Sequence, residues 1–415
     1  MDKYHSIFYF IVGLLSAFCV RLLGIITIGE ILVILFALWN LLSHRLKWDI
    51  PVFDRCTRIL IVLIILSAIS CLITGLLCYT PLKEILKGFG TIFLLIFSFL
   101  FFKRILIDRY KDILIFLLGY GFSSVIVNLY FIQFSDLIVG NRGLDIEFFR
   151  EEMYAYIICY LAFFINGYLY SKSIRLLIIA NLLFALLCLF GNSRTNFLLL
   201  IITDFMLFCN YRITVKGNRL ATKTLISWIF LLCILLFFSY KGYSFLASNG
   251  YLGEGAKLKY EVQSKNKGGI LSARSYIVRG FVTIAHHPMG GIGTDHNVSD
   301  NKDIRREFAE ITQTKYRSWD RNIMSHTAVF DWWIAYGIFT FPFWLYVIYL
   351  AFKGLKIAVK SNHPLAALVI FSTLSLLWNM FTSPFSLRIQ YGFCIMLLVF
   401  IIYINSIVEK ENETA

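Results

Sequence analysis

The stretch Arg58–Tyr79 reads RILIVLIILSAISCLITGLLCY. After Arg58 it carries no charge, and about 20 apolar residues in a row are what an α-helix needs to cross the hydrocarbon of a bilayer. Lipid offers no hydrogen-bond partner to an open backbone, so such a run folds as a helix. Working outward, runs of this kind recur at residues 6–22, 24–43, 58–79, 87–106, 112–134, 152–170, 174–190, 194–210, 224–240, 328–352, 364–382 and 387–407. The first two read equally as one broken unit. Gly191-Asn192-Ser193 separates the seventh from the eighth. The expectation is an all-α polytopic membrane protein with about 12 transmembrane helices. The early apolar run lacks a small-residue cleavage site and reads as a span, not a removed signal peptide.

The composition agrees. Of 415 residues, 59% are hydrophobic and only 15% charged, against about 25% charged in soluble domains. The net charge of +14 fits lysines and arginines gathered on cytoplasmic loops better than nucleic-acid binding. Arg45, Lys47, Arg55 and Arg58 fall on one side, as do Lys103, Arg104, Arg109 and Lys111, then Lys172 and Arg175. Arg212, Lys216, Arg219, Lys223, Lys353, Lys356 and Lys360 follow. With an even number of spans both termini share that cytoplasmic side. The nine cysteines form no CxxC pair and none lies in the long loop, so neither a disulfide framework nor a cysteine zinc site is expected.

Three units follow: membrane helices in 1–240, a large outer loop in 241–327, and membrane helices in 328–415. A loop of that length is usually functional or disordered. Within it, 272–285 has helical periodicity, and 299–324 reads as a second, exposed helix. On the first, Arg274, Ile277, Val278, Phe281 and Ile284 share one stripe, with Arg279, Thr283 and His286 opposite. Arg274 therefore points where the helix packs, as an interfacial snorkel or a ligand-holding cation. Arg279 is expected to face water and is kept as a secondary site candidate. Pro288 ends this helix, and Gly290, Gly291 and Gly293 permit a tight return of the backbone.

Arg194, in GNSRTNFLLL, opens an apolar span on the outer side. Ser193 or Asn192 is placed to cap that helix. The free N–H groups of its first turn, with a guanidinium beside them, favour an anion such as phosphate. Interfacial anchoring is the competing reading. His326 lies in MSHTAVFDWWIAYG, where the loop re-enters the membrane, as a general base or a structural histidine. Asp331 is an acid inside the same span and is kept as a secondary candidate. Arg142 and Arg150, mixed with Asp145, Glu147, Glu151 and Glu152, either add positive charge to the site or form a solvated ion-pair face. His286, His287 and His296 match no strong metal-ligand spacing, and no Gly-Lys-Ser/Thr follows the glycines, which excludes a P-loop.

Taken in order, Ser193-Arg194-Thr195, then Arg274 and the His287-Pro288-Met289-Gly290-Gly291-Ile292-Gly293 run, then His326 ahead of an aromatic helix ending in Tyr336-Gly337, this pattern resembles the O-antigen ligase and O-antigen polymerase superfamily of bacterial envelope glycosyltransferases. The resemblance is best over about 185–345. It implies a GT-C-like helical enzyme of the inner membrane, active on the periplasmic side. The implied donor partner is an undecaprenyl-diphosphate-linked oligosaccharide, with the lipid bilayer around it and a chain-length regulator protein as a candidate partner. No cofactor, metal or nucleotide sugar is implied. Arg194 and Arg274 would hold the lipid diphosphate, and His326 would activate the acceptor hydroxyl for inverting transfer. Where ligases carry His-Asn at the re-entry point this chain has Ser325-His326-Thr327, and its own His296-Asn297 lies inside the loop. That tilts the expectation from ligase, which transfers finished polymer to the lipid A core, towards the repeat-unit polymerase. A transporter of the lipid-linked glycan is the third reading, and few mid-span charges count against it.

Overall fold

The computed structural model describes residues 2–16, 18–21, 25–42, 55–139, 146–190, 193–214, 230, 237, 240–253, 257, 260–261, 275–293, 302–312 and 327–382. Among the described residues the apolar runs are largely helical, with one addition. Helix α1 (Asp2–Leu15) leads into a short antiparallel hairpin, β1 (Cys19–Arg21) with β2 (Ile25–Thr27), before α2 (Ile28–Leu42). This shortens the helix expected over 6–22 and adds one small hairpin to a chain whose other described elements are helices. The cause is local. Thr27-Ile28-Gly29-Glu30 forms a capping box: Thr27 N–H donates to Glu30 Oε2 (2.7 Å) and Glu30 N–H to Thr27 Oγ1 (3.0 Å). The box satisfies two donors of the first turn and fixes where α2 starts.

The bundle continues with α3 (Arg55–Leu77), α4 (Leu82–Arg109), α5 (Asp112–Val139), α6 (Ile146–Leu169), α7 (Ile174–Phe190) and α8 (Arg194–Thr214). Then come two loop helices, α9 (Ser275–His286) and α10 (Lys302–Thr312). The chain returns through α11 (Ala328–Tyr336), a 3-10 turn at Ile338–Thr340, α12 (Phe341–Lys360) and α13 (Ala366–Thr382). Among the described residues five helical stretches are long and apolar enough to cross a membrane: Arg55–Leu77, Leu82–Ile105, Asp112–Tyr130, Arg194–Thr214 and Ile338–Lys360. The other described apolar helices are shorter. The expected spans 387–407 and, for nearly all of its length, 224–240 lie outside the described residues.

The expected span 328–352 is two helices. Gly337 breaks it at φ +85°, a conformation that costs a side-chain-bearing residue energy, and Pro342 stands in the first turn of α12. The carbonyl of Tyr336, freed by the break, accepts hydrogen bonds from Ser70 and Thr74 of α3. At nine residues α11 is too short to span.

Close backbone contact replaces apolar interdigitation where α1 crosses α5. A Cβ added to Gly13 would stand 2.3 Å from the Phe116 carbonyl oxygen, and one on Gly119 the same distance from that of Phe10. Small residues at a helix crossing are how helices associate in lipid, which supplies no hydrophobic drive between them. At the far end of the bundle, Asn210 of α8 donates to the carbonyls of Ala358 (3.1 Å) and Ser361 (2.9 Å) at the end of α12, and accepts from Tyr170 (2.7 Å). Joined there, α8 and α12 run in parallel. Arg194 therefore lies at the end of the bundle that carries Gly337 and the α3–α4 turn.

Candidate functional site

The loop helices are tied to that same end through the glycine run. Trp333 Nε1 donates to the Pro288 carbonyl (2.8 Å), Ile292 N–H to that of Ile334 (2.7 Å) and Ile338 N–H to that of Met289 (3.0 Å). Gly291 sits at φ +66°, where an added Cβ would stand 2.5 Å from the Ile334 oxygen. Gly293, at φ +81°, lies against Thr80 of the α3–α4 turn. The glycines do more than turn the chain: they let its backbone bond directly to the end of α11.

Helices α9 and α11 lie side by side and point the same way. The rings of Phe281 and Phe330 are 4.6 Å apart between centroids, Ile284 packs with Ile334, and Pro288 meets Trp333. Both sequences advance together, so Ser275 and Thr327 begin their helices at one end of the pair. Thr327 caps α11, its side chain accepting from Phe330 N–H at 3.3 Å. Asp331, half-buried, stands in the first turn of α11, where the helix dipole favours a carboxylate. Arg274 and His326 are the sequence neighbours of these two starts and lie outside the described residues, as do His296, Arg142 and the side chain of Arg150.

The face assignments on α9 need correcting. Arg279, expected in water, is half-buried and stacks its guanidinium carbon 4.7 Å from the Phe308 ring centroid. His286 Nε2 lies 2.7 Å from Glu307 Oε2, and Thr283 is buried. Helix α10 covers the polar face of α9, using Phe308 and Glu307. Phe281, expected to be packed, is 58% exposed, which suits a ring at a membrane interface as well as one in a core.

Arg194 is the first residue of α8 and is half-buried. Its guanidinium carbon lies 4.4 Å from the ring centroid of Tyr243, within the range of a cation–π contact. Tyr243 is only 4% exposed, in an apolar cluster with Ala247 and Leu252 against Leu189 of α7. It belongs to the helical segment 240–248. Burial pushes the Tyr243 phenol above its usual value of 10.0, and the charge of Arg194 and a side-chain hydrogen bond with it draw it part of the way back. Nothing in the local pattern of KGYSFLASNGY marks Tyr243, because its significance comes from a residue 49 positions earlier.

A second polar cluster went unread although its signal was present. Asn166 (α6), Asn181 (α7) and Asp204 (α8) each interrupt an apolar run. The two amides exchange hydrogen bonds at 3.1 and 3.2 Å, and Asn181 Nδ2 donates to Asp204 Oδ1 at 2.9 Å. Asp204 Oδ2 is buried and meets no partner among the described residues. Ten residues into α8, about 15 Å from Arg194 at 1.5 Å per residue, this cluster lies near the middle of a helix of spanning length. Polar groups there are expensive and tend to mark function.

No protein-family model, curated protein or solved structure matches the chain.

Proposed function

We propose that the protein is a membrane glycosyltransferase that joins undecaprenyl-diphosphate-linked repeat units into a surface polysaccharide at the periplasmic face of the bacterial inner membrane. The observation that carries the reading is Arg194. It is a guanidinium held over a buried ring at the N-terminus of a helix of spanning length, at the same end of the bundle as the glycine run and the break at Gly337. A diphosphate leaving group gains charge as the glycosidic bond breaks. A fixed guanidinium and helix N–H groups stabilise that charge more in the transition state than in the ground state. In this reading Arg274 is the second cation on the diphosphate. His326 takes the proton from the acceptor hydroxyl as it attacks the anomeric carbon, the carbon–oxygen bond to the diphosphate breaks, and the configuration inverts. Arg142, Arg150 and Asp331 remain secondary. In this reading that end of the bundle faces the periplasm and both termini are cytoplasmic.

The test is reconstitution of the full chain with an undecaprenyl-diphosphate-linked repeat unit as the only substrate. Glycans of two or more repeats, with undecaprenyl diphosphate released, are the expected products. Product only after adding lipid A core would assign the ligase instead. A second reading, transport of the lipid-linked glycan, is favoured by the Asn166–Asn181–Asp204 cluster. Donor crossing the bilayer with no new glycosidic bond would select it.

A further inference from the structure

The Asn166–Asn181–Asp204 cluster ties three helices together, but its hydrogen bonds leave one atom over. Asn166 Nδ2 donates to the Ala162 carbonyl (2.8 Å) and to Asn181 Oδ1 (3.1 Å), and Asn181 Nδ2 donates to Asn166 Oδ1 and to Asp204 Oδ1. The amide donors are thereby used. Both asparagines are buried and Asp204 is only 7% exposed, yet Asp204 Oδ2 meets no hydrogen-bond partner among the described residues. A bridge between helices needs only Oδ1, which an asparagine would supply without a charge. A carboxylate taken out of water is costly unless something positive pairs with it. The helices bonded in the cluster carry their basic residues towards their ends: Arg150 in α6, Arg175 in α7, and Arg194 and Arg212 in α8.

A second observation points to the same depth. Helix α13 packs against both α6 and α8, with the Phe163 and Phe371 rings 4.4 Å apart between centroids, one turn of α6 from Asn166. Just beyond Phe371 come Ser372, Thr373 and Ser375, all buried, whose hydroxyls also meet no partner among the described residues. A serine or threonine inside a helix can bond the carbonyl four residues back, as Ser67 and Thr203 do. Buried hydroxyls left unpaired are rare. What gathers here is oxygen with free lone pairs and a single negative charge. Oxygen ligands select a hard cation, and one charge balances one charge. Among the described residues no group of three or more His, Cys, Asp or Glu is placed to hold a metal, so a divalent or transition ion is short of ligands.

We infer that Asp204 binds a single alkali-metal cation inside the helix bundle, with its carboxylate as the charged ligand and the α13 hydroxyls as neutral ones. Ionisable groups within spans mark ion sites as readily as substrate sites. The ion pairs with the charge that the asparagines leave uncompensated and joins α8 to α13. The inference does not rest on the reading of Arg194, and it holds whether the protein joins glycans or moves them.

The experiment uses the full chain in phosphatidylcholine nanodiscs at mildly alkaline pH. Melting temperature is measured in sodium chloride, potassium chloride and choline chloride at equal ionic strength, for wild type, Asp204→Asn and the pair Ser372→Ala with Thr373→Val. Choline is too large for a site between packed helices and serves as the control. A ligand that binds only the folded state raises the melting temperature with its concentration. Wild type is therefore expected to melt higher in sodium or potassium than in choline, the more effective ion naming the occupant. Asp204→Asn keeps an oxygen for Asn181 and is expected to lose that rise. In choline it is expected to melt at or above wild type, because an unpaired buried charge has gone. The α13 pair is expected to need a severalfold higher ion concentration for the same rise. Equal melting of wild type in all three salts overturns the inference, and that comparison stands without any variant. A rise that survives in Asp204→Asn overturns it too, since the ion then acts elsewhere. So does an Asp204→Asn protein that melts below wild type in choline, which gives the carboxylate a partner within the chain. An unchanged ion requirement in the α13 pair overturns the proposed ligand set.

Discussion

Arg194 and Arg279 look alike at first contact. Each lays its guanidinium over an aromatic ring, at 4.4 Å for Tyr243 and 4.7 Å for Phe308. The difference lies in what the ring brings and what else joins the two elements. Phe308 has no polar atom, and α9 and α10 are also bridged by His286 and Glu307. The Arg279 pair is complete within the chain and fastens one loop helix to another. Tyr243 is buried in an apolar cluster against α7 and brings a hydroxyl that Arg194 also reaches, beside the first turn of a helix of spanning length. One stacked arginine fastens two loop helices together, and the other stands at the N-terminus of a helix of spanning length.

Substitutions can break this contrast in order of effect. The largest effects belong to the proposed site: Arg274→Ala and His326→Ala should each abolish glycan chain growth in cells while membrane protein levels stay normal. Arg274→Lys should fail too if fork geometry matters, because lysine offers charge without a planar pair of donors. Long-chain glycan made normally by the alanine variants removes both residues from the site. A smaller effect, on stability alone, belongs to the glycine run. Gly291→Ala forces a side chain into positive φ and against the Ile334 carbonyl, a cost of about 1–3 kcal/mol. A lowered melting temperature, with protection lost on the amides of Ile292 and Ile338 by hydrogen exchange, is the expected readout. Arg279→Ala should cost only about 0.5–1 kcal/mol and leave turnover near wild type. The smallest effect is a pH dependence. Because burial holds the Tyr243 phenol above 10.0 in the folded chain, the folded state keeps its proton longer than the unfolded one. The associated stability is complete below that value and is lost as pH rises past it. Wild type should therefore lose slightly more stability than Tyr243→Phe on alkaline titration, and identical curves count against a buried phenol.

The parts of this molecule legible in its sequence are those set by neighbours along the chain. Apolar runs located the helices, the GNSRTNFLLL stretch placed Arg194 at a helix start, and the periodicity of 272–285 located α9. The parts that were not legible depend on distant residues. Periodicity tells which face of α9 is polar but not that α10 covers it, so Arg279 and Thr283 are less exposed than their pattern suggests. Tyr243 matters through Arg194. Two signals were present and under-read. Gly337 followed by Pro342 was enough to divide the run at 328–352, and a lone Asp204 in hydrocarbon was enough to ask for partners.

The most direct test of the central claim compares wild type, Arg194→Ala and Arg279→Ala as purified, folded proteins in liposomes. The substrate is an undecaprenyl-diphosphate-linked repeat unit and the readout is release of undecaprenyl diphosphate. The account predicts release by wild type and by Arg279→Ala, and a fall of at least about 100-fold for Arg194→Ala, the scale expected for losing a preorganised donor to the leaving group. Turnover by Arg194→Ala at the wild-type rate, or no release by wild type, would contradict it.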